Sequence, residues 1–438
     1  MKRLGRSDSH ARDTKLGRVA SKLGANLLLG ILLLGLSTTG QVANAQKSGG
    51  SSTPVLPNVR YTLTKLEPVS GFQTVWVSAP NGMGDGVGTA SAGIGSPPGT
   101  ALAYHSGTGG LPVIFDLNGL FDLNGLSAPW YDLNEMVLPG NVPTPVLGWK
   151  APRAFGLNVA GDIVGYAENT VNPSLPLRAY LLENAFGTAP RFLLLPTVAA
   201  VSHLANGINN SGEIVVQVTG LGVYRYKRLA PFVWPYYVVP ASAAIPGNIG
   251  GGKINDVGAI IAQAGDLPVG KFGSYRQQLD GQPPEYFSGY LFTALSNSYI
   301  GGSRDIIGKV KGGAFRMPEL GAASSAQIIF SGSIGNYVRD INDYGDLCFE
   351  STGRVFLYTD AINPDTKIKY GTNGNGILPL DQMVDYPTDA DWLNNTSYIR
   401  FTGISSRDLT IGFGQICVVN FGSNRGFLLT PHTIPPPN

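Results

Sequence analysis

Charge is scarce in this chain. Asp, Glu, Lys and Arg make up 14% of the 438 residues, against ~25% in an average soluble domain, which argues against a body of solvated, charge-laced helices. Helical apolar periodicity is also missing after the N-terminus. Long hydrophobic runs are absent too. The longest, Leu27 to Leu36, is about half of the ~20 residues that a membrane-spanning helix needs. Cys348 and Cys417 are the only cysteines. Two thiols make no disulfide framework, and a single bridge or two buried thiols both stay open.

Catalytic signatures are missing as well. The sequence has no G-x-S-x-G, H-E-x-x-H, G-x-x-x-x-G-K-[ST] or C-x-x-C. Outside the N-terminal segment, His105, His203 and His432 are too scattered to predict a metal site. No cofactor or metal is implied. Paired carboxylates for glycoside chemistry meet only in a fold, and are not excluded by spacing.

What charge there is sits unevenly. Lys2, Arg3, Arg6, Arg12, Lys15, Arg18 and Lys22 precede the short apolar run, and Ala43-Asn44-Ala45 follows it. Basic segment, short apolar run and small-x-small site are the marks of an export signal spanning residues 1–45. A retained signal anchor is the alternative. Without that segment, 24 basic residues face 27 acidic ones, a net charge of −3. A weakly acidic surface gives no electrostatic basis for holding nucleic acid. The expected mature chain does not span a membrane.

Glycine and aromatics are plentiful instead, with 59 Gly, 18 Phe and 19 Tyr. This composition suits many short strands joined by tight turns, an all-β fold. One stretch recurs. NGINNSGEIVVQ at 206–217 is echoed by GLNVAGDIVGYA from Gly156, PNGMGDGVGTA from Pro80, GKINDVGAIIAQA from Gly252 and RDINDYGDLCFE from Arg339. Degenerate copies are IGGSRDIIGKV from Ile300 and GISSRDLTIGFG from Gly403. Their key positions are Asn81, Asn158, Asn209, Asn255, Gly301, Asn342 and Ser405, spaced 77, 51, 46, 46, 41 and 63 residues apart. Most steps match the ~40–50 residues of a propeller blade. In each copy an apolar residue ends a strand and Asn starts a turn. Gly161, Gly212, Gly258 or Gly345 then supplies the positive φ of a hairpin. Ser211 is read as a turn residue, with no base partner in view.

Further strands follow the turns. They are Arg178–Leu182, Ala230–Trp234, Gly289–Phe292, Gly313–Met317, Arg354–Tyr358 and Arg425–Leu429, with closing segments such as FDLNGL and Leu378–Val384. Four strands per unit is the content of a blade. The expectation is a β-propeller of about seven four-stranded blades over residues 61–431, after a linker at 46–60 and before a Pro-rich tail at 432–438. The final unit lacks a fourth strand, because Pro435-Pro436-Pro437 cannot continue a ladder. Tyr61–Leu66 is a strand without a unit. Pairing the two ends closes the ring and removes an exposed edge.

The ordered recurrence of INxxGxIVG, R-A-F-L and D-L-N resembles the HAF-type repeat of bacterial extracellular proteins, most closely from LPLDQMVD to RGFLLTP. Arg stands here where that pattern has His before Ala or Gly-Phe-Leu. The resemblance implies a propeller and an exported location, and no reaction.

Three stretches invite chemistry. Asp340–Asp346 resembles a calcium loop but puts Tyr344 and Ser351 where oxygen ligands are needed, so it reads as a turn. The tandem FDLNGLFDLNGL and the following YDLNEM offer Asp116, Asp122 and Asp132, with nothing to bring them together. In YRYKRLAPFVWPYY, Tyr224, Tyr226, Arg228, Trp234 and Tyr236 form a candidate ligand face, by stacking on sugars or holding an anionic polymer. The simpler reading of that alternation is one buried face and one solvated face. Function divides three ways: an exported non-enzymatic binding module for a glycan or envelope component, a polysaccharide-active enzyme, or a structural envelope protein. A deep channel with clustered carboxylates favours the enzyme, and a flat, uncharged top favours the others. Absence of catalytic motifs puts the binding module first. N-terminal sequencing of protein from the envelope or medium should begin at Gln46; a chain there that still starts at Met1 rules out cleavage.

Overall fold

The hairpin turns of the sequence become the hubs of a ring. In the computed structural model, seven sheets, antiparallel but for one strand pair in the second, are arranged as the blades of a β-propeller, each led by one strand along the central channel. The structure describes residues 56–434 apart from loop segments, the longest being 118–129, 134–144 and 386–398. The expected export signal therefore lies outside the described residues.

The channel strands of blades 1–7 are, in order, Thr74–Pro80, Trp149–Leu157, His203–Ile208, Ile249–Ile254, Tyr290–Leu295, Tyr337–Ile341 and Ile399–Ile404. Each is followed outward by its hairpin partner and further strands. The hairpin partner of blade 3 is β-branched and buried on both faces: Ile214, Val215 and Val216 are fully inaccessible. One side packs on its own blade's neighbour and the other on the next blade. Tyr180, Leu182 and Ile163 of blade 2, for example, form one cluster with Val87, Ala101 and Ala103 of blade 1. Each such side chain contributes about 1.5–3 kcal/mol by leaving water.

Closure follows the pairing that the two chain ends require. Val59–Leu66 lies antiparallel to Arg425–Thr433, from Val59↔Thr433 to Leu66↔Gly426, as the outermost strand of blade 7. The pairing extends past both expected boundaries, taking in Val59 and Arg60 at one end and His432 and Thr433 at the other. The far edge of the closing strand is covered as well. Tyr61 N–H donates to Met383 O (2.8 Å), and Asp385 N–H donates to Tyr61 O (2.9 Å). Its ring, fully buried, packs with blades 6 and 7.

Two expected strands shift place. Gly289–Phe292 does not follow a turn as a third strand; Tyr290–Leu295 is the channel strand of blade 5, and Gly273–Gln277 is the third strand of blade 4. In blade 3 the third strand is Gly222–Arg228, while Ala230–Trp234 lies outside the described residues. The stretched first spacing has a use. Trp130–Asp132, from that insertion, adds to blade 2 in parallel with Arg191–Leu194. Asp132 then forms a two-pronged ion pair with Arg178, both contacts at 2.9 Å. That pairing commits its carboxylate. Asp122 lies outside the described residues.

The repeated asparagine joins turn to turn. Asn209 Oδ1 accepts from Glu213 N–H at 2.8 Å, and Asn209 Nδ2 donates to Asn255 O of the next blade at 2.9 Å. The same bond runs from Asn81 to Asn158 O (3.2 Å), from Asn158 to Asn209 O (3.3 Å), from Asn255 to Ser296 O (3.2 Å) and from Asn342 to Ser405 O (3.1 Å). The fifth key position is thus Ser296 rather than Gly301, which lies outside the described residues. Its hairpin is longer, so the glycine sits inside the insertion. Ser296 keeps half of the arrangement: its Oγ accepts from Asp305 N–H (2.9 Å), as Ser405 Oγ accepts from Gln415 N–H (2.8 Å). Serine has no amide to pass on to the next blade. The turn glycines Gly161, Gly212, Gly258 and Gly345 have φ between 77° and 83°.

Asn209→Ala strips the acceptor from the part-buried Glu213 N–H and the donor from the buried Asn255 O, and should cost about 2–4 kcal/mol in urea unfolding. Asn209→Ser keeps the first bond and should cost about half as much. Equal losses from the two would refute the division of labour.

Candidate functional site

The channel strands share one irregularity. All seven carry a register shift near the channel end, between Ser78/Pro80, Ala154/Gly156, Ala205/Gly207, Gly250/Gly252, Phe292/Ala294, Val338/Asp340 and Phe401/Gly403. A bulge re-aims the residues that follow it. In blades 2–6 the position two before the key residue lines the channel cavity. Its occupants around the ring are Ala79, Gly156, Gly207, Lys253, Ala294, Asp340 and Gly403. Five are Gly or Ala, and two are charged.

The residues at that position are mostly small, and at Gly156 the neighbouring blade comes close. A Cβ on Gly156 would stand 3.1 Å from Gly207 Cα. Lys253 and Asp340 depart from that rule and extend into the space that the others leave. Lys253 borders two adjoining cavities of about 180 and 200 Å³ along the channel. Its ammonium makes no ion pair within 4 Å and no hydrogen bond among the described residues. Asp340 Oδ2 accepts from Ile404 N–H of blade 7 at 3.1 Å. Lys253 is solvent-exposed along the channel and Asp340 is half-buried, with protein crowding both.

That partial desolvation shifts both groups toward neutrality. Burial pushes the Asp340 carboxyl up to about 6, against the opposing pull of the Ile404 N–H and the Lys253 ammonium. Burial lowers the Lys253 ammonium, and Asp340 partly restores it. Each charge is the other's main electrostatic support.

A polar rim surrounds the wider cavity. Asn210 donates its N–H and Nδ2 to the two oxygens of Asp256, each at 2.8 Å. Asp256 N–H donates to Asn297 Oδ1 (3.1 Å), Ser406 Oγ donates to Asp343 Oδ2 (2.8 Å), and Val159 N–H donates to Asn210 Oδ1 (3.0 Å). These residues immediately follow the key asparagines and serines, so the turn that fastens the blades also builds the rim.

The ligand face expected from YRYKRLAPFVWPYY is not available as such. Tyr226 is fully buried and Tyr224 nearly so, both in the core between blades 2 and 3. The Tyr226 hydroxyl donates to Pro196 O (3.0 Å), and Arg228 pairs with Glu183 (3.2 Å). Arg225 is buried too, donating to Gly258 O, so this strand has no solvated face until Lys227. Blade packing on both sides overrides the alternation. Trp234 and Tyr236 lie outside the described residues. The Asp340–Asp346 stretch is a turn: Asn342 Oδ1 accepts from Tyr344 and Asp346 N–H (3.0 and 2.9 Å), and Asp346 pairs with Arg407 (2.5 Å). Cys348 and Cys417 are buried free thiols. Cys417 Sγ lies 3.0 Å from the Tyr104 hydroxyl.

Lys253 and Asp340 escaped the sequence reading, although a signal was present. With the repeats aligned on their asparagines, GKIN and RDIN place a charge where the other copies have Gly or Ala.

The fold defines a seven-bladed β-propeller. No family model and no curated protein matches the chain. Among solved structures it is similar to a catalytically inactive virginiamycin B lyase from Staphylococcus aureus bound to quinupristin (10% identity, TM-score 0.42, 84% of this chain and 99% of that one). It is also similar to the β-propeller domain of the trilobed protease from Pyrococcus furiosus (9% identity, TM-score 0.40, 83% and 100%). PorZ, a surface component of the type-IX secretion system of Porphyromonas gingivalis, is a third (9% identity, TM-score 0.42, 82% of this chain and 48% of that one). Likeness at this level carries no chemistry across.

Because the folded protein binds the Asp340 proton more tightly than a chain with the ordinary value of 3.8, this contribution to stability is complete below about pH 4 and lost as pH rises through about 6. Between those limits the wild type should lose on the order of 1–2 kcal/mol more than Asp340→Asn, measured by denaturant unfolding at a series of pH values. Parallel profiles would show that Asp340 titrates normally.

Proposed function

We propose that this protein is an exported binding module of the HAF-repeat type, and that the rimmed end of its channel is the ligand site. The observation that carries this reading is the pair Lys253 and Asp340, set in a ring of otherwise small residues and facing a cavity. A purely structural channel has no use for an ammonium and a half-buried carboxyl at two positions that are otherwise small, and charged groups placed in a cleft with shifted proton affinities are retained where they meet a ligand. The export signal and the repeat resemblance support a place outside the cytoplasm.

Binding is favoured over hydrolysis by the state of the other carboxylates. Two-carboxylate glycoside chemistry needs a second ionised group free to act on water or sugar. Both oxygens of Asp256 are engaged by Asn210, and Asp343 accepts from Ser406. These groups shape the rim.

A glycan array probed with the wild type, Lys253→Met and Arg228→Ala tests the site. Signals should vanish or fall at least tenfold with Lys253→Met and persist with Arg228→Ala, on the outer part of blade 3. The reverse pattern would move the site off the channel.

A further inference from the structure

Resting on the channel as the ligand site, we propose that its occupant is a single neutral sugar ring, whose hydroxyls bridge the Lys253 ammonium and the Asp340 carboxylate.

Charge comes first. Lys253 is the one cation among the residues described around the wider cavity, against Asp256, Asp340 and Asp343. A ligand carboxylate or phosphate set on Lys253 would lie in the field of three carboxylates, which repel it. A hydroxyl meets no such penalty. It accepts from an ammonium and donates to a carboxylate at once, so adjacent hydroxyls of one ring match a donor and an acceptor that do not touch each other. Lys253 and Asp340 are such a pair: they stand on blades 4 and 6 with Ala294 of blade 5 between them.

Shape is consistent with the same class. The cavity that Lys253 and Asp340 both border is about 180 Å³, room for one ring between them. Phe155, the bulged residue of blade 2, borders both cavities and offers an apolar surface. The C–H face of a sugar packs against such a ring while its hydroxyls turn to the polar side. The rim is already fixed by its own hydrogen bonds, so a ligand meets amides and carboxylates in set positions, which lowers the ordering cost of binding.

Isothermal titration of the purified protein with glucose, galactose, mannose and N-acetylglucosamine is the direct test, with glucuronate, galacturonate, glycine and lysine as comparison ligands. At least one neutral sugar should bind with one site per chain, at least tenfold more tightly than its uronic acid. Lys253→Met and Asp340→Asn should each weaken it tenfold or more, while Lys253→Gln, which keeps a donor in place, should lose less. Unfolding curves establish that each variant is folded. Tighter binding of a uronate, or no binding by any of the sugars, overturns the sugar proposal. Amino acids that bind and depend on Lys253 and Asp340 also overturn it but leave the channel as the site. Sugar binding untouched by both Lys253→Met and Asp340→Asn would overturn the channel reading itself.

Discussion

One side chain does the work of two in this molecule. The key asparagine closes its own hairpin through Oδ1 and reaches the carbonyl of the next hairpin through Nδ2. Few residue types can do this, because the position needs an acceptor and a donor on one short, planar group. The partners are buried, so a missing bond would leave desolvated groups unsatisfied. Where the hairpins lengthen, at Ser296 and Ser405, the acceptor survives and the relay stops. Other contacts hold those junctions. Arg316 of blade 5 binds both Asp305 of its own blade (2.6 Å) and Asp360 of blade 6 (2.7 Å). Between blades 7 and 1, Leu428, Cys417 and Leu66 pack on Val75, Val77 and Tyr104.

The ring also depends on its ends. A sheet edge left unpaired is an open template for association, and a propeller closed only by side-chain packing would have one at its seam. Here a single N-terminal strand completes the C-terminal blade and is itself covered by the segment around Met383. Separation of the partners in sequence makes this contact slow to find, since loop closure must precede it. Once made, it ties the first blade to the last.

The candidate site grows from the same elements. Bulges turn the ends of the channel strands, most positions there are Gly or Ala, and the polar rim follows directly from the fastening turns. Into this frame the chain places one ammonium and one carboxyl that support each other's charge. Rigidity and function therefore share a hub: the residue before the key asparagine belongs to a strand, the asparagine fastens two blades, and the residue after it faces the channel.

Much of this was legible in the repeats. Asn, the turn glycines and the β-branched pairs are dictated by local backbone conformation, which acts over a few residues and so recurs in the sequence wherever the hairpin recurs. Strand count per unit and the pairing of Tyr61–Leu66 with the final unit followed from what each unit lacked. Burial of Tyr224, Arg225 and Tyr226 did not, because alternation marks a half-exposed strand only when one face meets water, and blades have neighbours on both sides. The fifth turn departs from the reading because its glycine lies in an insertion, while the equivalent residue, Ser296, is recognised by whose hydrogen bond it accepts. The sequence by itself determined the turns, the blades and the closing strand, all set by chain-local geometry and by edges that must be paired. Only the tertiary structure decided that Lys253 and Asp340, 87 residues apart, share one channel, because their proximity comes from the curvature of the ring and has no local cause.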